Sequence, residues 1–238
     1  WHEYLQQVLA TAAEHDLRIT GLHSHIGSGS DPEVWQRCAR LTLEVAARLP
    51  DIQRVSMGGG FKVGRMAGEV STDLQEAGQP VASEFERFAQ EHGRELHLEV
   101  EPGTFFVANA GALVCGIIDV VDTGAEGNRF IKIDSGMTEV LRPSMYGAQH
   151  PIVVVPAEAE ARGQDEYLVA GHCCESGDIL TPAPDNPEEL ATRLLTEAKI
   201  GDAVFIGGCG AYCAGMAAKN YNSFPEAPEI LLDDNGEL

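Results

Sequence analysis

Apolar positions in the first half of the chain switch repeatedly between two spacings. From His2 to His15 they recur at helical intervals, and Ile19 to His25 reads as a short strand running into a Gly/Ser loop. Asp31 to Leu49 is a strong helix pattern. Asp31 is placed to cap it, Pro32 lies just inside, and Val34, Cys38, Leu41 and Val45 fall on one face. Ile52 to Met57 forms a second short strand, stopped by Gly58-Gly59-Gly60. A looser insert from Lys62 to Gly78 precedes a helix from about Val81 to His92. Glu95 to Val100 is then a strand stopped by Glu101-Pro102-Gly103. Strands that end in glycine or polar residues and lead into helices are what β/α units produce, with chemistry gathered at the carboxyl ends of the strands. The three units visible up to Gly111 suit either an open α/β sheet or a piece of a (β/α)8 barrel.

The pattern changes after about Leu113. Val114–Asp122, Arg129–Asp134, Ile152–Val155, Tyr167–Gly171 and Ala203–Ile206 are short β-rich runs parted by turns, and Ala183–Glu189 is a Pro/Asp-rich surface loop. The predicted division is residues 1–111 as β/α and residues 112–238 as an all-β domain.

Composition then narrows the function classes. The net charge of −21, from 37 acidic against 16 basic side chains, opposes nonspecific binding to nucleic acid, whose phosphates need neutralising by Lys and Arg. Any anionic ligand must be held by local backbone donors or a few placed arginines. No apolar run approaches the roughly 20 residues that span a bilayer. Trp1 to Ala13 lacks the basic start and apolar stretch of a signal peptide. The six cysteines, in a chain long enough to bury a core without disulfides, read as free thiols of a cytoplasmic protein.

Six segments carry candidate chemistry. In Gly21-Leu22-His23-Ser24-His25-Ile26-Gly27-Ser28-Gly29, a hydroxyl and free backbone N–H groups after a strand can cradle an anion; His25 could stack on a flat ring, move a proton, or simply serve the turn. Gly58, Gly59 and Gly60 allow a backbone to approach a ligand closely, or make a plain tight turn. Glu101, at a strand end, can pair with a protonated ring nitrogen or form a surface ion pair. Arg142 and Tyr146 set a guanidinium and a phenol four residues apart, suited to a carboxylate. His172-Cys173-Cys174-Glu175-Ser176-Gly177-Asp178 offers a thiol as proton donor beside a carboxylate that can fix an amino group. A metal site built from His172, Cys173, Cys174, Cys209 and Cys213 fits poorly, because paired CxxC knuckles are absent. Gly207-Gly208-Cys209-Gly210-Ala211-Tyr212, followed by Asn220-Tyr221-Asn222, adds a hydroxyl that could reach a phosphate or close a β-domain.

Taken in order, these segments resemble the fold-type III pyridoxal-phosphate decarboxylases, from about Gly21 to Asn222. Cys-Glu-Ser together with Arg-Pro-x-x-Tyr resembles the diaminopimelate branch rather than ornithine decarboxylases, where aspartate follows the cysteine. The resemblance implies the rear part of a pyridoxal-phosphate-binding (β/α)8 barrel followed by a sandwich- or barrel-like β-sheet domain. It implies that His25 lies against the cofactor ring and that Glu101 pairs with the ring nitrogen. Ser28, Gly58, Gly59, Gly60, the Gly103 backbone and Tyr212 would hold the phosphate. Arg142 and Tyr146 would bind a substrate carboxylate, Cys174 would return a proton after loss of carbon dioxide, and Glu175 would read the distal amino group. It further implies a head-to-tail homodimer with shared active sites, and conversion of meso-diaminopimelate to L-lysine.

Two departures from the family pattern stand out. Thr104 occupies the position of a family arginine, which makes a related decarboxylase for another substrate, such as a carboxylated polyamine or carrier-linked amino acid, the alternative. The cofactor-anchoring lysine of the family lies far ahead of the His-Ile-Gly-Ser motif, and Lys62, Lys132, Lys199 and Lys219 match its context nowhere. The chain is therefore expected to begin partway through the enzyme. A noncatalytic fragment or dimerisation module is the third reading.

Overall fold

The computed structural model describes residues 4–233 and 235–236, so the first residues of the predicted N-terminal helix, His2 and Glu3, lie outside the described residues. The chain divides into two compact units. One comprises Trp1–Val63 and Val70–Phe105, the other Gly64–Glu69 and Phe106–Leu238.

The first unit runs α1 (Leu5–Glu14), β1 (Gly21–His23), α2 (Pro32–Ala46), β2 (Arg54–Ser56), α3 (Leu74–His92) and β3 (His97–Glu99), with α4 (Gly103–Val107) beginning at its end. The strands form a parallel sheet in the order β1-β2-β3. Its register aligns Leu22, Val55 and Leu98 in one row and His23, Ser56 and Glu99 in the next. Because side chains alternate across a strand, these rows face opposite ways. Leu22 and Val55 join the helices in an apolar core, while His23 and Ser56 look out on the polar face with Arg54.

Asp31 caps α2 by accepting the Glu33 N–H at 2.9 Å, with Pro32 in the first turn, as the sequence predicts. The buried face differs from the predicted one. Trp35, Ala39, Thr42, Leu43 and Ala46 are buried, whereas Val34 and Leu41 are exposed. Trp35 decides the helix rotation: its ring packs on Phe61 at 4.4 Å between centroids. That leaves Cys38 and Val45 at the margin of the core. α3 begins at Leu74, well before the predicted Val81. Asp73 accepts from Gln75 and Glu76 N–H at 2.8 and 3.0 Å, and burial of Ala77 and Val81 carries the helix through Gly78 and Pro80.

The second unit runs β4 (Leu113–Asp122), β5 (Arg129–Ile133), α5 (Arg142–Tyr146), β6 (Ile152–Val155), β7 (Gln164–Ala170), β8 (Pro182–Ala183), β9 (Asn186–Leu190), β10 (Arg193–Thr196) and β11 (Ala203–Ile206). Six strands join in the order β10-β7-β5-β4-β11-β6, antiparallel except for β5 with β7. The edge strands β10 and β6 approach each other, so the sheet curls toward closure around Ile117, Ile131, Ile133, Val154, Val169, Val204 and Ile206. The segment expected to be a surface loop, Ala183–Glu189, largely joins a β8–β9 hairpin, and α5 is a single helical turn. On the outer face Val114, Val153 and Phe205 stand side by side across three strands, all exposed. Among the described residues no helix is long and apolar enough to cross a membrane.

Candidate active site

At the strand ends of the first unit, four polar groups converge. Glu101 follows β3. Its Oε1 accepts the Ser56 hydroxyl at 2.6 Å and lies 3.3 Å from His23 Nε2. The Ser56 bond, aided by His23 and His25, holds the Glu101 carboxyl below the usual glutamate range, so it is an anion at neutral pH. Both contacts use Oε1, which leaves Oε2 to take a further donor. His25 Nδ1 accepts the Gly59 N–H at 3.2 Å, which places the ring proton on Nε2.

The glycine loops explain their composition. A Cβ on Gly58 would stand 2.6 Å from His25 Nδ1, on Gly59 2.6 Å from the Glu101 carbonyl, and on Gly60 2.0 Å from the Gly27 carbonyl. Gly60 also has φ 99°, where L-residues are strained. The loop after β2 is therefore pressed against both neighbouring strand ends. By contrast, nothing stands within 4 Å of a Cβ on Gly27, Gly29 or Gly103, so space is open beside those backbones. The Gly29 N–H is taken by the Gly60 carbonyl at 3.0 Å, and the Gly103 N–H by the Glu101 carbonyl at 2.9 Å. Ser28 is exposed. An ionised carboxylate with an open oxygen, an imidazole and glycines bordering open space fit a flat cationic ring carrying an anionic group, which is the chemistry of pyridoxal phosphate.

The remaining predicted residues belong to the second unit. Arg142 and Tyr146 occupy the two ends of α5, one turn apart, and the Tyr146 hydroxyl lies 4.0 Å from Met216 Sδ. Arg142 Nη1 is bonded to Nε2 of the buried His150 at 3.0 Å, and His150 Nδ1 to the Gly207 carbonyl at 2.9 Å. Burial holds His150 down at about 4, so the ring is neutral, donating from Nδ1 and accepting at Nε2. Next to Gly207, the Gly208 carbonyl accepts from Arg65 Nε at 2.9 Å, while Arg65 Nη2 is buried without a hydrogen-bond partner. Burial, and then the charge of Arg142, push the Arg65 guanidinium down from its usual value. Arg65 lies in the insert that gave no chemical signal in the sequence. Tyr212 is exposed and has φ 57°.

Cys174 and Glu175 project from a loop built on Asp178. That buried carboxylate accepts N–H groups from Met137 at 2.7 Å and Cys173 at 2.8 Å. Gly136 and Gly171 make room for it, since a Cβ on either would meet its oxygens at 2.5 or 2.2 Å. Asp178 is thus the structural member of the Cys-Glu-Ser-Gly-Asp motif. The two adjacent cysteines diverge: desolvation and Asp178 push Cys173 up to about 12, an inert thiol, whereas Cys174 is exposed. Glu175 accepts the Gly177 N–H at 3.1 Å and the Tyr221 hydroxyl at 3.0 Å, contacts that keep it ionised. His172 is stacked on Phe224 and bonded to Thr138 Oγ1. Among the described residues no three His, Cys, Asp or Glu side chains gather as a metal site would require.

A β/α sheet with an acid and glycine loops at its strand ends, together with a curled β-sheet unit, fits the class of pyridoxal-phosphate enzymes built from a barrel and a sheet domain. The chain belongs to the family described as pyridoxal-dependent decarboxylase, C-terminal sheet domain, which matches residues 17–210. It is 36% identical over 241 residues to diaminopimelate decarboxylase of Escherichia coli K12, covering 100% of this chain and 56% of that protein. A crystal structure of a diaminopimelate decarboxylase superimposes with a TM-score of 0.90 at 34% identity, covering 98% of this chain and 55% of that one. The Helicobacter pylori enzyme in complex with L-lysine follows at a TM-score of 0.74 and 28% identity, covering 94% and 52%. The chain spans about half the length of these relatives.

Proposed function

We propose that the protein carrying this chain is a pyridoxal-phosphate-dependent decarboxylase that converts meso-diaminopimelate to L-lysine. The observation that carries this reading is Glu101, held ionised by Ser56 beside His25 and the glycine loops, with one carboxylate oxygen open. The chemistry the cofactor supplies when bound is an electron sink for the pair left behind as carbon dioxide departs. Glu101 would hold the ring nitrogen protonated through Oε2, and His25 would lie against the ring. Ser28, the Gly58, Gly59 and Gly60 loop and the Gly103 backbone would hold the phosphate, to which the Tyr212 hydroxyl is also assigned.

Substrate recognition falls to the second unit. Arg142, fixed by neutral His150, binds a carboxylate together with Tyr146. Arg65, in the same unit, brings a second guanidinium with an unpartnered nitrogen, a further donor for an anionic group. Glu175, an anion, reads the distal ammonium. Cys174 delivers a proton to the carbon that has lost its carboxylate, and water reprotonates the thiolate. Lys132, Lys199 and Lys219 are ion-paired with Asp119, Glu160 and Glu226, and none of the three is assigned to the cofactor. The exposed apolar row of Val114, Val153 and Phe205 supports a homodimer, and six free thiols support a cytoplasmic enzyme.

The test is carbon dioxide release by the intact protein from meso-diaminopimelate, ornithine, arginine and a carboxylated polyamine. Preference for meso-diaminopimelate, and loss of about 100-fold or more in kcat in Cys174→Ala with cofactor binding retained, are expected. Preference for another substrate overturns the specificity, and undiminished turnover of Cys174→Ala overturns the proton-donor role.

A further inference from the structure

In the segment Asn220-Tyr221-Asn222-Ser223, of which the chemistry above uses only the Tyr221 hydroxyl, the backbone is unusual. Asn220, Asn222 and Ser223 all take left-handed φ, at 65°, 51° and 63°. Residues other than glycine hold such angles only where surrounding contacts fix them, and such positions cluster at functional sites. The contacts here run to the Cys174–Glu175 loop. Asn222 Oδ1 accepts the backbone N–H of Cys174 at 2.8 Å, and the Tyr221 hydroxyl donates to Glu175 Oε2 at 3.0 Å. The strap is pinned on both sides: the Ala218 N–H donates to the Met137 carbonyl at 3.0 Å, and Phe224 stacks on His172 at 3.6 Å and 6°. His172 is in turn bonded to Thr138 Oγ1 at 2.8 Å.

The two bonds to the Cys174–Glu175 loop contribute little to folding. Both lie at exposed groups, where water replaces a lost partner at little cost. What water cannot replace is direction. The Cys174 N–H bond sets where its Cα–Cβ bond points, and the phenol holds Glu175 Oε2 while the Gly177 N–H holds Oε1, so that together they fix the plane of the carboxylate. Asparagine suits position 222 on two counts, since it tolerates the left-handed region and carries a side-chain acceptor.

We propose that Asn222 and Tyr221 are positioning residues for Cys174 and Glu175 respectively, Asn222 governing the rate of proton return and Tyr221 the binding of the distal ammonium. This rests on the roles given to Cys174 and Glu175 above. Two variants at position 222 separate backbone from bond: Asn222→Gly keeps the left-handed φ and removes the acceptor, and Asn222→Asp keeps the acceptor. In the intact enzyme Asn222→Gly is expected to lower kcat roughly 10-fold with KM within about twofold, as one lost orienting bond would. Asn222→Asp is expected to restore most of that loss. Tyr221→Phe is expected to raise KM roughly 5- to 10-fold with kcat near wild type. Wild-type kcat in Asn222→Gly, an Asn222→Asp variant no faster than Asn222→Gly, or parallel changes of kcat and KM in Tyr221→Phe overturns the proposal. Cys174→Ala in the same assay tells the two failures apart. If it is crippled while Asn222→Gly is not, the positioning role alone falls; if it turns over normally, the donor role falls and the positioning role with it.

Discussion

Ser56 and Glu101, on neighbouring strand ends and distant in sequence, share one hydrogen bond of 2.6 Å, and it is the largest influence keeping the carboxylate charged. A cofactor ring that must stay protonated requires that charge. Ser56→Ala is therefore expected to raise the Glu101 pKa. As pH falls, cofactor binding in the variant should weaken at a higher pH than in the wild type, by about threefold or more near pH 5. Absorbance titration of the intact protein with pyridoxal phosphate at pH 5 and pH 8 measures the difference. Superimposable pH profiles would show that Ser56 does not tune Glu101.

Gly60 is the point where two loops touch, with the Gly27 carbonyl 2.0 Å from where a Cβ would stand and φ at 99°. Gly60→Ala should cost about 2 kcal/mol or more of stability and loosen cofactor binding with it. Gly29→Ala, which meets nothing within 4 Å, should fall within about 0.5 kcal/mol of wild type. Urea unfolding of both variants decides; equal stabilities would mean the loops are not in contact.

His150 couples the second unit to pH. It is 1% exposed and titrates at about 4 in the fold against 6.5 ordinarily, chiefly because of burial. Between those values the unfolded chain binds the extra proton and the native state does not. Stability is therefore full above about pH 6.5, falls as pH drops, and levels near pH 4, a loss of about 2–4 kcal/mol. His150→Gln should flatten this slope between pH 7 and pH 4.5 in urea unfolding. An unchanged slope would assign the acid sensitivity elsewhere.

How much of this was legible in the sequence depended on whether local pattern or distant packing decided each feature. The Asp31 cap, the strands ending at glycine loops, and the change to β texture after Leu113 follow from hydrogen-bonding geometry and side-chain alternation within a few residues. The six segments also carried the family resemblance, because each packs its chemistry into consecutive residues. Other features were not readable locally. The α2 face was set by Trp35 meeting Phe61, and α3 crossed Gly78 and Pro80 because tertiary burial outweighed their propensity. Asp178 stood in plain view in a motif, but only Gly136 and Gly171, one of them far from it in sequence, reveal it as the post of the loop. Arg65 stands 143 residues from the Gly208 carbonyl that holds it, and Asn222 stands 48 from Cys174. The sequence by itself determined which chemical groups this protein owns and the order of its elements. Tertiary structure alone decided which of those groups are charged, which are inert, and which hold others in place, because burial and hydrogen bonding between distant residues set ionisation and direction.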